Sequence, residues 1–203
     1  MGVLDQFEHP HGTPGRLVGW ILTWANRSIN ERLVAELTLR GDERVLEIGY
    51  GPGVALEMMA AKLPRGSLSG VDPSETMRSQ AERRNEKSLR QGRMVLSVGD
   101  SAHLPYADTS FDIVYTANNV QLWSPFPQVL SEVHRVLRPG GRIAIAVQGV
   151  AARAQAGPLG GNIEELDRSL RAALSPPGWT DYHPKVERLW TGRALFAIAV
   201  RGA

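Results

Sequence analysis

At 203 residues with 42% hydrophobic content, the chain can bury one sizeable core and has little left for a second, so one domain is expected. The formal net charge is only +2, and the densest basic cluster (Arg78, Arg83, Arg84, Lys87, Arg90, Arg93) is interleaved with Glu75, Glu82 and Glu86 but with no aromatic residues. That pattern reads as a solvated helix face laced by i,i+4 pairs, not as a nucleic-acid surface. The absence of cysteine excludes disulfides, thiolate metal sites and any chemistry that runs through a cysteine nucleophile.

The first dozen residues are polar and rich in turn formers, His9-Pro10-His11-Gly12-Thr13-Pro14-Gly15 among them, with no basic-then-apolar leader. From about Arg16 to Leu39, Trp20, Ile21, Trp24, Ile29, Leu33, Val34 and Leu37 recur at helical spacing, with Gly41 where a C-cap glycine belongs. Leu17 to Ala25 is too short to span a bilayer and is interrupted by Gly19 and Thr23, so a cytoplasmic protein without a membrane partner is expected.

Val45 to Ile48 reads as a buried strand running into Gly49-Tyr50-Gly51-Pro52-Gly53. Glycines there permit positive φ and a close backbone approach to a ligand. A dinucleotide fold wants its third glycine or alanine one place later, at Val54, so the spacing favours a nucleoside without a pyrophosphate. A helix should follow from Val54 to Leu63, stopped by Pro64-Arg65-Gly66. Leu68 to Val71 is a second strand ending in Asp72, at a distance from Gly49 that suits a carboxylate receiving two ribose hydroxyls. A helix from Pro73-Ser74 to about Gln91, stopped by Gly92, leads to a third strand at Met94 to Val98, ending in Gly99-Asp100-Ser101-Ala102.

A fourth strand, Phe111 to Tyr115, is followed by Thr116-Ala117-Asn118-Asn119. A helix from Gln128 to Leu137 and the turn Leu137-Arg138-Pro139-Gly140-Gly141 feed a fifth strand, Ile143 to Val147. Val150 to Gly161, rich in Ala, Gly and Gln, is a candidate cover for the site. Asn162 should cap a helix to Leu174 with Glu164 and Glu165 in its first turn, and Val186 to Leu189 and Ala194 to Val200 close the chain as a hairpin-like pair.

Taken together, the glycine loop with an aromatic at Tyr50, Asn118 followed by Trp123, and the turn from Arg135 to Gly141 resemble the class I S-adenosylmethionine-dependent methyltransferases, specifically the methyltransferase type 11 (UbiE-like) group. The resemblance runs from about Gly41 to the C-terminus. It implies a three-layer, Rossmann-like α/β fold with a seven-stranded sheet in order 3-2-1-4-5-7-6, strand 7 antiparallel. It divides the chain into an N-terminal cap segment and helix (1–40) and a methyltransferase domain (41–203).

The resemblance implies S-adenosylmethionine as cofactor and S-adenosylhomocysteine as product. Gly49, Gly51 and Gly53 would lie against the methionine portion, with Glu47 near its amine or ordering the loop, and Tyr50 beside the sulfonium or filling space. Asp72 would take the ribose, with Pro73 next to it and Met77 either on the adenine face or in the core. Asp100 would accept from the adenine amino group, with Ser101 or Ala102 offering a backbone N–H to a ring nitrogen. Asn118 and Gln121 would approach the methionine end. Trp20, Trp24 and Trp123 are candidate substrate contacts, each equally readable as packing. His11, His103 and Tyr106 are candidate bases if the nucleophile arrives protonated.

Neither a carboxylate after the fourth strand nor ligand-spaced histidines are present, so no metal is expected. The activity implied is methyl transfer to an oxygen, nitrogen or carbon of a small organic molecule by a monomer or homodimer, beneath a lid made from the N-terminal segment and its helix. A protein that binds S-adenosylmethionine or its product without turnover, and an RNA or protein methyltransferase, are the alternatives.

Overall fold

The computed structural model describes residues 27–149, 159, 161–190 and 192–202; His9, His11, Trp20, Trp24 and all of 150–158 lie outside them. Helix α1 covers 27–36. It is followed by β1 (Arg44–Ile48), α2 (Val54–Lys62), β2 (Ser67–Asp72), α3 (Glu75–Arg84), α4 (Glu86–Arg90), β3 (Met94–Val98), β4 (Phe111–Ala117), a 3-10 turn (Val120–Leu122), α5 (Phe126–Val136), β5 (Leu137–Gln148), α6 (Ile163–Ala173), β6 (Trp179–Leu189) and β7 (Gly192–Arg201).

The strands form one seven-stranded sheet in the order β3-β2-β1-β4-β5-β7-β6. β1 to β5 run parallel and β7 is antiparallel to both of its neighbours, as expected. Covered faces explain the apolar strands: Val45, Leu46, Glu47 and Ile48 of β1 are all buried. On one face Ile29, Leu33 and Val34 of α1 and Leu56 and Met59 of α2 pack against Val45 and Tyr115. On the other, Val129, Val133 and Val136 of α5 and Leu166 and Leu170 of α6 pack against Leu46, Ile48 and Ile143. These spacings are the apolar stripes of helices lying on a sheet, which makes three layers.

Three expectations about elements need correcting. The helix expected from residue 74 to 91 is broken at Asn85, whose backbone leaves the helical region and whose side-chain Nδ2 donates to Ala81 O and to Gly53 O, both at 3.0 Å. β5 begins at Leu137, earlier than Ile143, because Leu137 already pairs with Phe111 before the turn at Gly140. β6 likewise begins at Trp179, seven residues before the expected start at Val186, as the partner of Arg201. Asn162 caps α6 as expected, its Oδ1 accepting from Glu165 N at 2.9 Å. The basic helix face is paired as its sequence suggests, Arg78 with Glu82 at 2.8 Å and Arg90 with Glu86 at 2.6 Å.

Helix α1 is fastened across the sheet at two points. Tyr115 OH donates to Asn30 Oδ1 at 2.8 Å in the buried layer. At the rim, Arg32 Nε and Nη2 donate to the two carboxylate oxygens of Glu187 on β6, each at 2.7 Å. Hydrogen bonds from Arg32, then from Lys185, hold the Glu187 carboxyl down from 4.5 to about 2. Its folded value lies below its unfolded one, so the pair contributes its stability above about pH 4.5 and loses it as pH falls toward 2. Replacing Glu187 with Gln is expected to cost about 1 kcal/mol at pH 7, the upper range for a partly exposed fork, and to flatten the acid limb between those pH values. Chemical denaturation of both proteins across pH 2 to 7 measures both effects.

Candidate functional site

The five parallel strands end on one edge of the sheet, and the strand order reverses between β1 and β4. That crevice is where open α/β sheets receive ligands. The loop from Gly49 to Gly53 fills its floor, and its three glycines all have positive φ, at +73°, +50° and +76°. They are glycine for different reasons. A Cβ on Gly49 would sit 2.3 Å from Asn119 Cγ, and one on Gly53 would sit 2.6 Å from Asn85 Nδ2. A Cβ on Gly51 would meet no described atom within 4 Å, so this glycine faces open space.

Side chains from three other segments hold the loop. Asp72, at the tip of β2, accepts from Gly51 N at 2.8 Å through Oδ2 and from Ser74 N at 2.9 Å through Oδ1. Ser74 caps α3, its Oγ accepting from Met77 N at 3.3 Å. Asn85 takes the Gly53 carbonyl, and Arg84 Nε donates to Pro52 O at 2.9 Å. Asn119 presses on Gly49 and is itself fixed by Trp123, whose Nε1 donates to Asn119 Oδ1 at 2.8 Å. Asn85 and Asn119 are site residues that sequence reasoning missed. A buried amide opposite a glycine 32 residues away leaves no local pattern.

Beneath the loop, Glu47 is buried at 3% exposure. Burial, with the nearby Asp72 charge adding to it, pushes its carboxyl well above the usual range, while the Leu56 backbone N–H in the first turn of α2 pulls the other way. Its Oε2 has no hydrogen-bond partner among the described residues. At the tip of β4, Asn118 adopts φ 51°, a left-handed conformation that asparagine tolerates. Its Oδ1 accepts from Gln148 N at 2.7 Å, stapling the β4 and β5 tips, and its carbonyl accepts from Gln121 Nε2 at 2.9 Å.

At the tip of β3, Asp100 is exposed while Ala102 is buried. The Ala102 N–H, expected to serve a ring nitrogen, donates instead to Asp100 Oδ1 at 2.9 Å. Asp100 Oδ2 lies 3.4 Å from His103 Nδ1, and His103 Nε2 lies 3.0 Å from Gln128 Nε2, so both ring nitrogens of this candidate base are engaged. Ser101 is half-buried, Pro73 exposed, and Met77 buried at 2% exposure.

Packing decides between the two readings open for Tyr50 and Trp123 and speaks against Tyr106 as a base. Tyr50 is 2% exposed, its ring lies where a Cβ on Gly70 would come within 2.6 Å, and its hydroxyl donates to Ser97 O at 3.2 Å. It buttresses the sheet beneath the loop. Tyr106 stands edge-on to Phe111 at 5.0 Å and donates to Gly70 O at 3.4 Å, and burial pushes its hydroxyl above the ordinary phenol range. A phenol turned inward and harder to ionise is unsuited to be a base. Trp123 is 2% exposed and stacks on Phe126 at 6.2 Å, so it serves packing and the orientation of Asn119, not substrate contact.

Comparison with known proteins agrees with this geometry. Residues 45–141 match the family model described as a methyltransferase domain. The chain is 29% identical over 188 residues to the uncharacterized methyltransferase YdaC of Bacillus subtilis, covering 92% of this chain and 99% of that one. Of several other curated methyltransferases it spans only 44% to 66% of the length. Among solved structures, a SAM-dependent methyltransferase from Aquifex aeolicus superposes with a TM-score of 0.66 at 20% identity, covering 85% of this chain and 89% of that one. Phosphoethanolamine N-methyltransferase 2 of Haemonchus contortus, in complex with S-adenosyl-L-methionine, superposes at 0.75 with 16% identity, covering 100% of this chain and 60% of that one.

The two kinds of glycine predict two kinds of damage. Gly53→Ala is expected to destabilise the fold by about 2–4 kcal/mol, combining left-handed strain with a clash against Asn85. Gly51→Ala should cost only about 1–2 kcal/mol of stability, yet lose the greater share of S-adenosylhomocysteine affinity. Thermal unfolding and titration calorimetry on the two variants read the contrast.

Proposed function

Because the chain belongs to the class I S-adenosylmethionine-dependent methyltransferases, we propose that it methylates an oxygen, nitrogen or carbon nucleophile of a small organic molecule in the cytoplasm, without a metal ion. The observation that carries this reading is a glycine loop locked from three sides yet open at Gly51, flanked by acceptor carboxylates at the next two strand tips. The residues present fit the cofactor. Gly49 to Gly53 offer close backbone approach for its methionine portion. Asp72 and Asp100 offer acceptor oxygens for ribose hydroxyls and for the adenine amino group. Glu47 Oε2 offers a buried acceptor for an ammonium. When bound, S-adenosylmethionine supplies a methyl group already activated on a sulfonium.

The protein's own task is then positioning and exclusion of water, which suffices when the electrophile is preactivated. Neither Tyr106 nor His103 is set up as a free base, so the described residues favour an acceptor that arrives with an available lone pair or ionises by itself. Metal independence is supported at the β4 tip, where Asn118 and Asn119 are neutral carboxamides engaged with Gln148 and Trp123, whereas a hard cation wants carboxylates. A small acceptor is supported by the basic helix face, where Arg78 and Arg90 are engaged by Glu82 and Glu86 and no aromatic residue interleaves with the charges.

Incubating the protein with methyl-labelled cofactor and a metabolite extract, in the presence of a chelator, tests the proposal. Label in the small-molecule fraction is expected. Label only in macromolecules, or only after Mg²⁺ is added, overturns it. For the cofactor contacts, Asp72→Ala is expected to lose about 1.5–3 kcal/mol of S-adenosylhomocysteine affinity, the range for hydrogen bonds to a charged group. Calorimetry showing unchanged affinity would remove Asp72 from the site.

A further inference from the structure

Helix α5 has two faces. Val129, Val133 and Val136 bury one against the sheet, while Gln128, Glu132 and Arg135, spaced i, i+4 and i+7, form a polar stripe along another. Every residue of that stripe reaches the same target, the irregular segment between β3 and β4 that begins at Asp100. Gln128 Nε2 donates to Ala102 O at 3.2 Å. Glu132 Oε2 accepts from Leu104 N at 2.8 Å. Arg135 donates to Leu104 O at 3.1 Å, to Tyr106 O at 2.7 Å and to Asp108 Oδ1 at 2.8 Å, and its carbonyl accepts from Thr109 N at 2.9 Å. Glu132 and Arg135 also form a two-pronged pair at 2.7 and 2.8 Å. Hydrogen bonds from Arg135, followed by the Leu104 N–H, hold the Glu132 carboxyl below its ordinary range against the effect of burial.

The stripe reaches Asp100 as well. If the Gln128 amide donates to His103 Nε2, that nitrogen is an acceptor and the ring proton sits on Nδ1, which faces Asp100 Oδ2. Gln128, His103 and Asp100 then make a directional relay that orients the carboxylate, with the Ala102 N–H fixing the other oxygen. A segment without helix or strand geometry of its own is thus held along much of its length by one helix, beside its contacts to β2 and its own turns.

We propose that Gln128, Glu132 and Arg135, with His103 between Gln128 and Asp100, are positioning residues that set the enzyme's preference for a 6-amino purine. This rests on the reading that Asp100 accepts from the adenine amino group. A carboxylate discriminates an amino group from a carbonyl oxygen only if its lone pairs are held in one orientation, because an unanchored side chain turns away from the repulsive partner and the penalty vanishes. The two contacts to the Asp100 carboxylate come from its own loop, the Ala102 N–H and the His103 ring, and the stripe acts by holding the backbone and the ring that carry them.

The test compares calorimetric affinities for S-adenosylhomocysteine and S-inosylhomocysteine, which exchange an amino donor for an oxo acceptor at the 6-position and an acceptor for an N–H donor at the adjacent N1, in the wild-type protein and in Arg135→Lys, Glu132→Gln and Gln128→Ala, with unfolding temperatures measured alongside; the change in the ratio on mutation is what is read. The wild type is expected to prefer the adenosyl compound by about tenfold or more, the scale of one charge-assisted hydrogen bond. The variants should shrink that ratio at least about threefold, since lysine keeps the charge but cannot fork to several carbonyls. A purely structural role would lower the unfolding temperature and both affinities together and leave the ratio intact, and that result overturns the proposal. Should Arg135→Lys fail to fold, the exposed Gln128→Ala carries the comparison, and an unchanged ratio there is equally fatal. A wild type that binds S-adenosylhomocysteine without any preference instead removes the Asp100 reading beneath it.

Discussion

The organisation of this protein turns on keeping a short glycine loop in a conformation it would not hold alone. Three left-handed residues in five positions are closed by one turn within the loop, Gly53 N to Tyr50 O at 2.9 Å, so much of their geometry has to be imposed from outside. Asp72 does so from the β2 tip, Asn85 from the α3/α4 junction and Asn119 from beyond β4. Much of the local irregularity nearby follows from this. α3 stops at Asn85 because that amide is turned toward the Gly53 carbonyl, and Trp123 is buried where its indole can orient Asn119. Among the described residues, the face of the loop at Gly51 is left clear, which is what a ligand approaching backbone atoms requires.

The same economy separates two kinds of charge. Surface carboxylates such as Glu82, Glu86 and Glu187 are matched by arginines. Glu47 has no such partner, and low-dielectric surroundings favour its neutral form. A buried polar side chain at the junction of β1, β2 and β4 is a liability for folding unless something completes its hydrogen bonding. An ammonium-bearing ligand at the strand tips would do that, linking stability to cofactor occupancy.

Much of this was legible in the residues themselves. The five parallel strands, the glycine loop, Asp72 and Asp100 at successive tips and the Asn162 cap all follow from short-range pattern, because strand alternation, capping and glycine spacing are local physics. The readings of Tyr50, Tyr106 and Trp123 went differently. Aromatic residues next to a motif look like ligand contacts in one dimension, yet each had a deeper cavity to fill and a backbone or amide acceptor waiting there.

The sequence alone therefore determined the parallel strands and the glycine loop, which are encoded in contiguous segments, while the strand order and the cofactor followed from the family likeness. Tertiary structure decided which side chains lie at the strand tips and which hold those in place. Asn85, Asn119 and the Gln128, Glu132 and Arg135 stripe act on segments 25 to 70 positions away, as in the 32-residue reach from Asn85 to Gly53 and the 31-residue reach from Arg135 to Leu104. Contacts of that span arise only when the sheet brings its strand tips to one edge, and no periodicity within either segment records them.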